Sequence, residues 1–208
     1  PLDIRMQSFD MSHFGSRLLA MAKPIYSAIT KHSPGEPVIV FVPSRKQAQL
    51  SAIDLLSYAN ASGNPQMFVP LTRRDLINSQ VSGIKDTSLL QACAQGVGFL
   101  HPGLCAGDKG IVERLFSSEG SLQVLVVPHS MCWTIQAMAH MVIVMDTVYY
   151  EGREHRYVDY PICDILQMVG RSARQILDQS AKCLILCHSS KREYLRRMLH
   201  DPLAIESH

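Results

Sequence analysis

Val38-Ile39-Val40-Phe41-Val42, followed by Pro43 and then Ser44-Arg45-Lys46-Gln47, sets the fold class of this 208-residue chain. An unbroken apolar run rich in β-branched residues predicts a strand covered on both faces, because a half-exposed strand alternates instead. Ser44 and Gln47 have the spacing of a capping box, in which a hydroxyl and an amide satisfy free backbone donors where a helix begins. Ala48, Ala52, Ile53, Leu55, Leu56 and Ala59 then recur at helical spacing. A buried strand running straight into a capped helix is half of a βαβ unit.

Working outward, Leu2 to Phe9 alternates apolar and polar residues, as a half-buried strand does. From Ser12 to His32 the apolar residues recur with helical period, and Pro24 should kink or divide that helix. Downstream, Thr72-Arg73-Arg74-Asp75 and Asp86 or Thr87 open two short helices, and Gly96 to Leu100 is a short strand. Ile111, Val112, Leu115 and Phe116 mark a further helix. Leu122 to Val127, Met141 to Met145 and Lys182 to Cys187 are buried strands, and Asp146 to Tyr160 is a hairpin with Gly152 at its tip. Ser190 and Glu193 suggest another capping box before a terminal helix. Strands alternating with amphipathic helices indicate one α/β domain over 1–208, with a mostly parallel sheet flanked by helices. In such sheets ligands gather where loops leave the strand carboxyl ends, here after Val42, Leu100, Val127 and Met145.

A formal charge of +2 and a pI near 8.4 do not declare a nucleic-acid binder, though a basic local face remains open. No apolar run is long enough for a membrane helix, and Pro1-Leu2-Asp3-Ile4-Arg5 lacks the pattern of a signal peptide. The chain starts without methionine and in mid-pattern, so it reads as an excised piece of a longer protein. Six cysteines without a Cys-x-x-Cys pair point to thiols in a reducing compartment rather than a disulfide framework. Cys183, Cys187 and His188 lie along an apolar strand pattern without a second ligand pair, which favours core cysteines over zinc. A hydrolase built on Cys132 or Cys163 lacks an identifiable base. A dinucleotide enzyme is disfavoured because no Gly-x-Gly-x-x-Gly turn follows a strand.

Asp159-Tyr160-Pro161-Ile162-Cys163-Asp164-Ile165-Leu166-Gln167-Met168-Val169-Gly170-Arg171-Ser172-Ala173-Arg174 carries the sharpest chemistry. Pro161 suits the first position of a short amphipathic helix, and two arginines three apart follow its closing glycine. Such cations answer a helix dipole without any ligand, or they neutralise charge on a transferring phosphoryl group. Likewise Ser44 alone is an N-cap, His101 a strand-end histidine and Trp133 a core aromatic.

Gln167 to Arg174 resembles motif VI of superfamily 2 DExH RNA helicases. Phe41 to Lys46 resembles their motif IV, Val127 to His140 their motif V, and His101-Pro102-Gly103-Leu104 with Val112-Glu113 the segment between. The matches run in one order through nearly the whole chain, with further likeness at Leu18 to Pro24, Ala28 to Pro34 and Pro202 to His208. The chain thus resembles the second RecA-like domain of a helicase cassette, a P-loop NTPase-type α/β domain. Within the family it resembles spliceosomal members with two cassettes. Cys132-Trp133, Met145 to Tyr150 and Glu206-Ser207-His208 look more like the carboxyl-terminal cassette.

The resemblance implies that Gln167, Gly170, Arg171 and Arg174 face ATP, with both arginines catalytic. It implies that Ser44, Arg45, His101 and Ser130 face RNA phosphates, that this segment ligates no metal, and that the protein works in the nucleus. Partners implied are a preceding RecA-like domain, following domains of the same protein, RNA and other spliceosomal proteins, with no membrane. The phosphate-cradling Gly-x-x-x-x-Gly-Lys loop and the acidic box for Mg are absent here, so they would lie on the preceding domain, and this piece alone should not hydrolyse ATP. Pro128, Thr134, Gln136 and Ala173 depart from the family pattern. Those departures imply a nucleotide-binding, poorly catalytic regulatory cassette, or a non-catalytic platform for splicing proteins that modulates a neighbouring motor.

Overall fold

The computed structural model describes residues 2–70, 74–117, 120–172, 178 and 180–200. Among these residues six parallel strands form the central sheet: β1 (Leu2–Phe9), β2 (Val38–Val42), β3 (Val97–Phe99), β4 (Val124–Pro128), β5 (Met141–Met145) and β8 (Ala181–His188), in the order β1-β8-β5-β2-β4-β3. β6 (Val148–Glu151) and β7 (Arg156–Asp159) make a separate antiparallel hairpin. Among the described residues seven helices flank the sheet: α1 (Phe14–His32), α2 (Arg45–Ala61), α3 (Arg74–Val81), α4 (Thr87–Ala94), α5 (Ala106–Ser117), α6 (Ile162–Val169) and α7 (Ser189–His200). This is the mostly parallel, helix-flanked α/β arrangement of a RecA-like domain.

β2 lies between β4 and β5 and is buried at every position, as its unbroken apolar run requires. Among the described residues β1 pairs only with β8, at the sheet edge, and its alternating polar residues stay largely exposed. The chain moves from β2 out to β3, back to β4, and then across β2 to β5, so connections diverge beside the central strand. Loops leaving that point share one crevice at the carboxyl ends of the strands.

Pro24 neither divides nor ends α1, which runs unbroken over 19 residues. An interior proline costs roughly 3 kcal/mol. Leu18, Met21, Ile25 and Ile29 are buried on both sides of it, each worth roughly 1.5–3 kcal/mol, so packing outweighs the lost hydrogen bond.

Of the two anticipated capping boxes, the one at Ser44 forms in part and the one at Ser190 does not form. Ser44 Oγ accepts from the Gln47 N–H at 3.1 Å, but the Gln47 amide turns forward to Ser51 Oγ at 3.0 Å. In α7 the Ser190 N–H donates to His188 Nδ1, while Glu193 faces Arg196 and Arg197. Bonds from Arg196 and then Arg197 pull the Glu193 carboxyl down to about 2. The start of α4 is as expected, with Asp86 accepting from the Leu89 N–H. The cap expected at Thr72 and Arg73 lies outside the described residues. Gly96 closes the turn after α4 at φ +84°, where an added Cβ would stand 2.1 Å from the Phe68 carbonyl oxygen, so no other residue fits.

Candidate functional site

Four loops leave the carboxyl ends of β2, β3, β4 and β5, and specific contacts tie them together. Ser44 and Arg45 are exposed where α2 begins. A 3-10 turn, His129–Met131, follows β4 and presents Ser130 to solvent. His129 Nδ1–H donates to the Pro43 carbonyl at 3.2 Å, joining the loop after β4 to the loop after β2. The His129 ring stacks on Tyr160 at 4.6 Å and tilts against Tyr149 at 4.4 Å. Burial holds its pKa below the ordinary histidine value, against the opposing effects of Pro43 and Asp164, so the ring is a neutral strut.

His101 accepts the Gly103 N–H at 3.2 Å and stacks on Phe99, so the strand-end description fits its geometry. Arg45 is close by, since a Cβ added at Gly103 would lie 3.7 Å from Arg45 Nη1. Burial depresses the His101 pKa first, and Arg45 and Lys109 add to this against Asp86. Ser44, Arg45 and His101 therefore gather on one rim.

Trp133 is not a core aromatic: it is 59% exposed and donates Nε1–H to Asp164 Oδ1 at 2.7 Å. That bond ties the loop after β4 to the first turn of α6. Pro161 stands just before this helix as its N-cap, at φ −54° and ψ 141°, rather than at its first helical position. Ile165, Met168 and Val169 bury one side, leaving Gln167 half-buried near the carboxyl end. The Ala139 N–H donates to the Arg171 carbonyl at 3.0 Å, and Ala139 bridges Ser172. Arg171 Nε is buried with no hydrogen-bond partner among the described residues. Arg174 and Ala173 lie outside the described residues, so the expected pairing of two guanidinium groups is placed only for Arg171.

These donors fit the outer side of a nucleotide or a polyphosphate backbone. Among the described residues no three His, Cys, Asp or Glu side chains gather to hold a metal ion. No family model matches the chain. All 208 residues align at 49% identity with the U5 small nuclear ribonucleoprotein 200 kDa helicase of Homo sapiens and cover 10% of it. The corresponding Drosophila melanogaster protein is 45% identical and the DExH-box ATP-dependent RNA helicase DExH12 of Arabidopsis thaliana 40%, again with 100% of this chain and 10% of each relative covered. The chain is a DExH helicase segment. It spans about a tenth of the length of the curated relatives it matches.

Two features of this helicase segment escape motif reading. One is the stack of His129, Tyr149 and Tyr160; aromatic residues in the hairpin were visible, but not their convergence. The other is a buried ion pair, Arg17 Nε to Asp146 Oδ2 at 2.8 Å, across 129 positions of sequence. Asp146 also accepts the Thr147 N–H and adopts φ +64° where β5 ends. The Thr147 carbonyl then accepts the Tyr160 N–H, carrying the geometry to the start of α6.

Four of the segment's six thiols, Cys93, Cys132, Cys183 and Cys187, are buried, while Cys105 and Cys163 are exposed. Burial pushes Cys183 up to about 12 and Cys187 to about 11, and raises Cys132 to about 11 with Asp164 adding to the effect. A thiol so disfavoured as thiolate is no nucleophile. Cys163 is exposed and bonds no histidine or carboxylate among the described residues.

Proposed function

We propose that this segment is the second RecA-like domain of an ATP-dependent RNA helicase cassette acting in pre-mRNA splicing. The observation that supports this most is the fastening of the candidate loops to one another: His129 to Pro43, Trp133 to Asp164, and Ala139 to Arg171. Displacement of one loop is thereby felt by the others, as coupling between nucleotide and RNA requires.

Arg171 and Arg174 are assigned to the ATP phosphates, with Gln167 and Gly170 completing that end. A guanidinium remains protonated at any working pH and spreads its charge over a planar fork, so it neutralises phosphoryl oxygens without a proton transfer. ATP with Mg supplies the phosphoanhydride, and the loop and carboxylates that cradle them belong to a preceding domain of the longer protein. Ser44, Arg45, His101 and Ser130 are assigned to RNA phosphates. Their hydroxyl, guanidinium and imidazole donors hold a backbone without reading bases. Nuclear location and contact with other spliceosomal proteins follow from the same reading.

Within that reading we place the segment in a regulatory, carboxyl-terminal cassette. Thr134 occupies a motif V position with its hydroxyl turned back to the Met131 carbonyl at 3.1 Å, and exposed Gln136 follows. A platform that only binds splicing proteins is the competing reading, favoured by the same altered loop. Photo-crosslinking of a longer chain that includes the preceding domain, with and without ATP, separates them. The helicase reading expects nucleotide-dependent crosslinks to RNA that Arg45→Ala weakens. A pure docking platform gives no ATP-dependent crosslink.

A further inference from the structure

A groove of about 530 Å³ lies between α1 and β1, toward the amino ends of β5 and β8 and away from the loops above. Lys23, Ser27 and Lys31 follow one another at four-residue spacing along its helical wall. Ser27 is short, so the wall dips between the two lysines. Asp3, Arg5 and Gln7, alternate residues of the edge strand, form the opposite wall, and Met141 and Leu184 contribute an apolar floor.

The charge is one-sided. Among the described residues Arg5, Lys23, Lys31 and Lys182 face a single acid, Asp3. Arg5 pairs with Asp3 at 2.9 Å, and Lys182 donates to the His32 carbonyl at 2.6 Å. Lys23 and Lys31 meet no carboxylate among the described residues. His32, also in the lining, is held below the usual histidine pKa by burial, then by Arg5, Lys31 and Lys182, against Asp3. The groove therefore repels cations and has room for anions. Among the described residues no Phe, Tyr or Trp lines it, which disfavours single-stranded nucleic acid, whose bases stack on rings.

We propose that this groove docks an extended acidic segment of a partner protein, with carboxylates on Lys23 and Lys31 and an aliphatic side chain between them. The spacing sets the recognised pattern. Eight helical positions span ~12 Å, and residues four apart in an extended chain span ~13 Å. The bound sequence is therefore acid, any residue, aliphatic, any residue, acid. This inference is independent of the nucleotide and RNA assignments.

The probe is a capped pentapeptide of glutamate, serine, leucine, serine and glutamate, titrated into the isotope-labelled chain by NMR. Amide shifts should concentrate at Asp3 to Gln7 and Lys23 to His32, and replacing both glutamates by glutamine should weaken binding about tenfold. Lys23→Glu with Lys31→Glu should weaken it at least as much, and Ser27→Tyr should block it by filling the groove with charge unchanged. All three are exposed helical positions, and the contrast between the two peptides on the unaltered chain needs no variant to fold. Equal binding of both peptides, no binding, or shifts of these amides by oligouridylate instead of the peptide would overturn the proposal.

Discussion

Asp146 sets the backbone where β5 ends and, through Thr147, the approach to α6. It is wholly buried, adopts a left-handed φ of +64°, and is held there by Arg17, itself 6% exposed, and by the Thr147 N–H. Removing one member of a buried pair leaves the other as an uncompensated charge, so Arg17→Met should cost ~3 kcal/mol in urea unfolding. Glycine tolerates positive φ, so adding Asp146→Gly to that variant should recover most of the loss. If the double variant is no more stable than the single, the pair is not the reason Arg17 matters. Nothing in the local sequence announces this pair. Asp146 reads as a strand-end polar residue and Arg17 as a helical surface cation, because their meeting is decided by tertiary structure alone.

At the scale of elements, two joins are testable. Asp108, buried near the start of α5, accepts the Lys85 and Asp86 N–H groups at 3.0 and 3.2 Å and so fastens α5 to the turn before α4. Burial opposes its ionisation, but those donors prevail and its pKa falls below the usual carboxylate value. With the folded pKa below the unfolded one, the unfolded chain binds more protons in between, so stability rises with pH there. The contribution is complete above about pH 5 and is lost as pH falls through the usual carboxylate pKa of about 4 to the folded value. Urea unfolding between pH 3 and 6 should show this slope, flattened in Asp108→Asn, which should also be less stable at neutral pH by ~1–3 kcal/mol. An equal slope in the variant would remove Asp108 as the cause.

The second join is Trp133 to Asp164. Trp133→Phe removes an exposed bond and should change global stability by no more than ~0.5 kcal/mol. It should nonetheless speed hydrogen exchange in the first turn of α6, because the loop no longer holds Asp164. Unchanged exchange there would show that the bond does not restrain the helix. Elements were legible where burial imposes a repeating pattern: β2 and β5 fall on their predicted residues because both faces are covered. Legibility failed where competing partners decide. Gln47 chooses Ser51 and Glu193 chooses two arginines over the expected caps, and α1 passes through Pro24 because packing on either side outweighs the local cost.

At the scale of the whole molecule, the sheet order puts the loops after β2, β3, β4 and β5 at one end and the basic groove nearer the other. On the two proposals made above, that separation would let nucleotide and RNA occupy one end of the domain and a protein partner the other. That Arg45 and His101 share a rim was foreseeable from motif order, since parallel α/β sheets bring successive loops together. The tethers between the loops were not, because His129, Trp133 and Tyr160 carry no spacing that names their partners.

On the proposed function, Arg171, whose buried Nε is unpartnered among the described residues, faces a nucleotide held between this domain and a preceding one. The direct measurement is ATP affinity and RNA-stimulated turnover of a longer chain containing both domains, compared with Arg171→Ala and Arg174→Ala. If the cassette turns over, each substitution should lower the rate ~10³-fold, the scale at which an arginine stabilises a transferring phosphoryl group. If it binds without turnover, each should weaken ATP about tenfold, as loss of one charged contact does. Affinity and turnover both unchanged in the two variants would contradict the account.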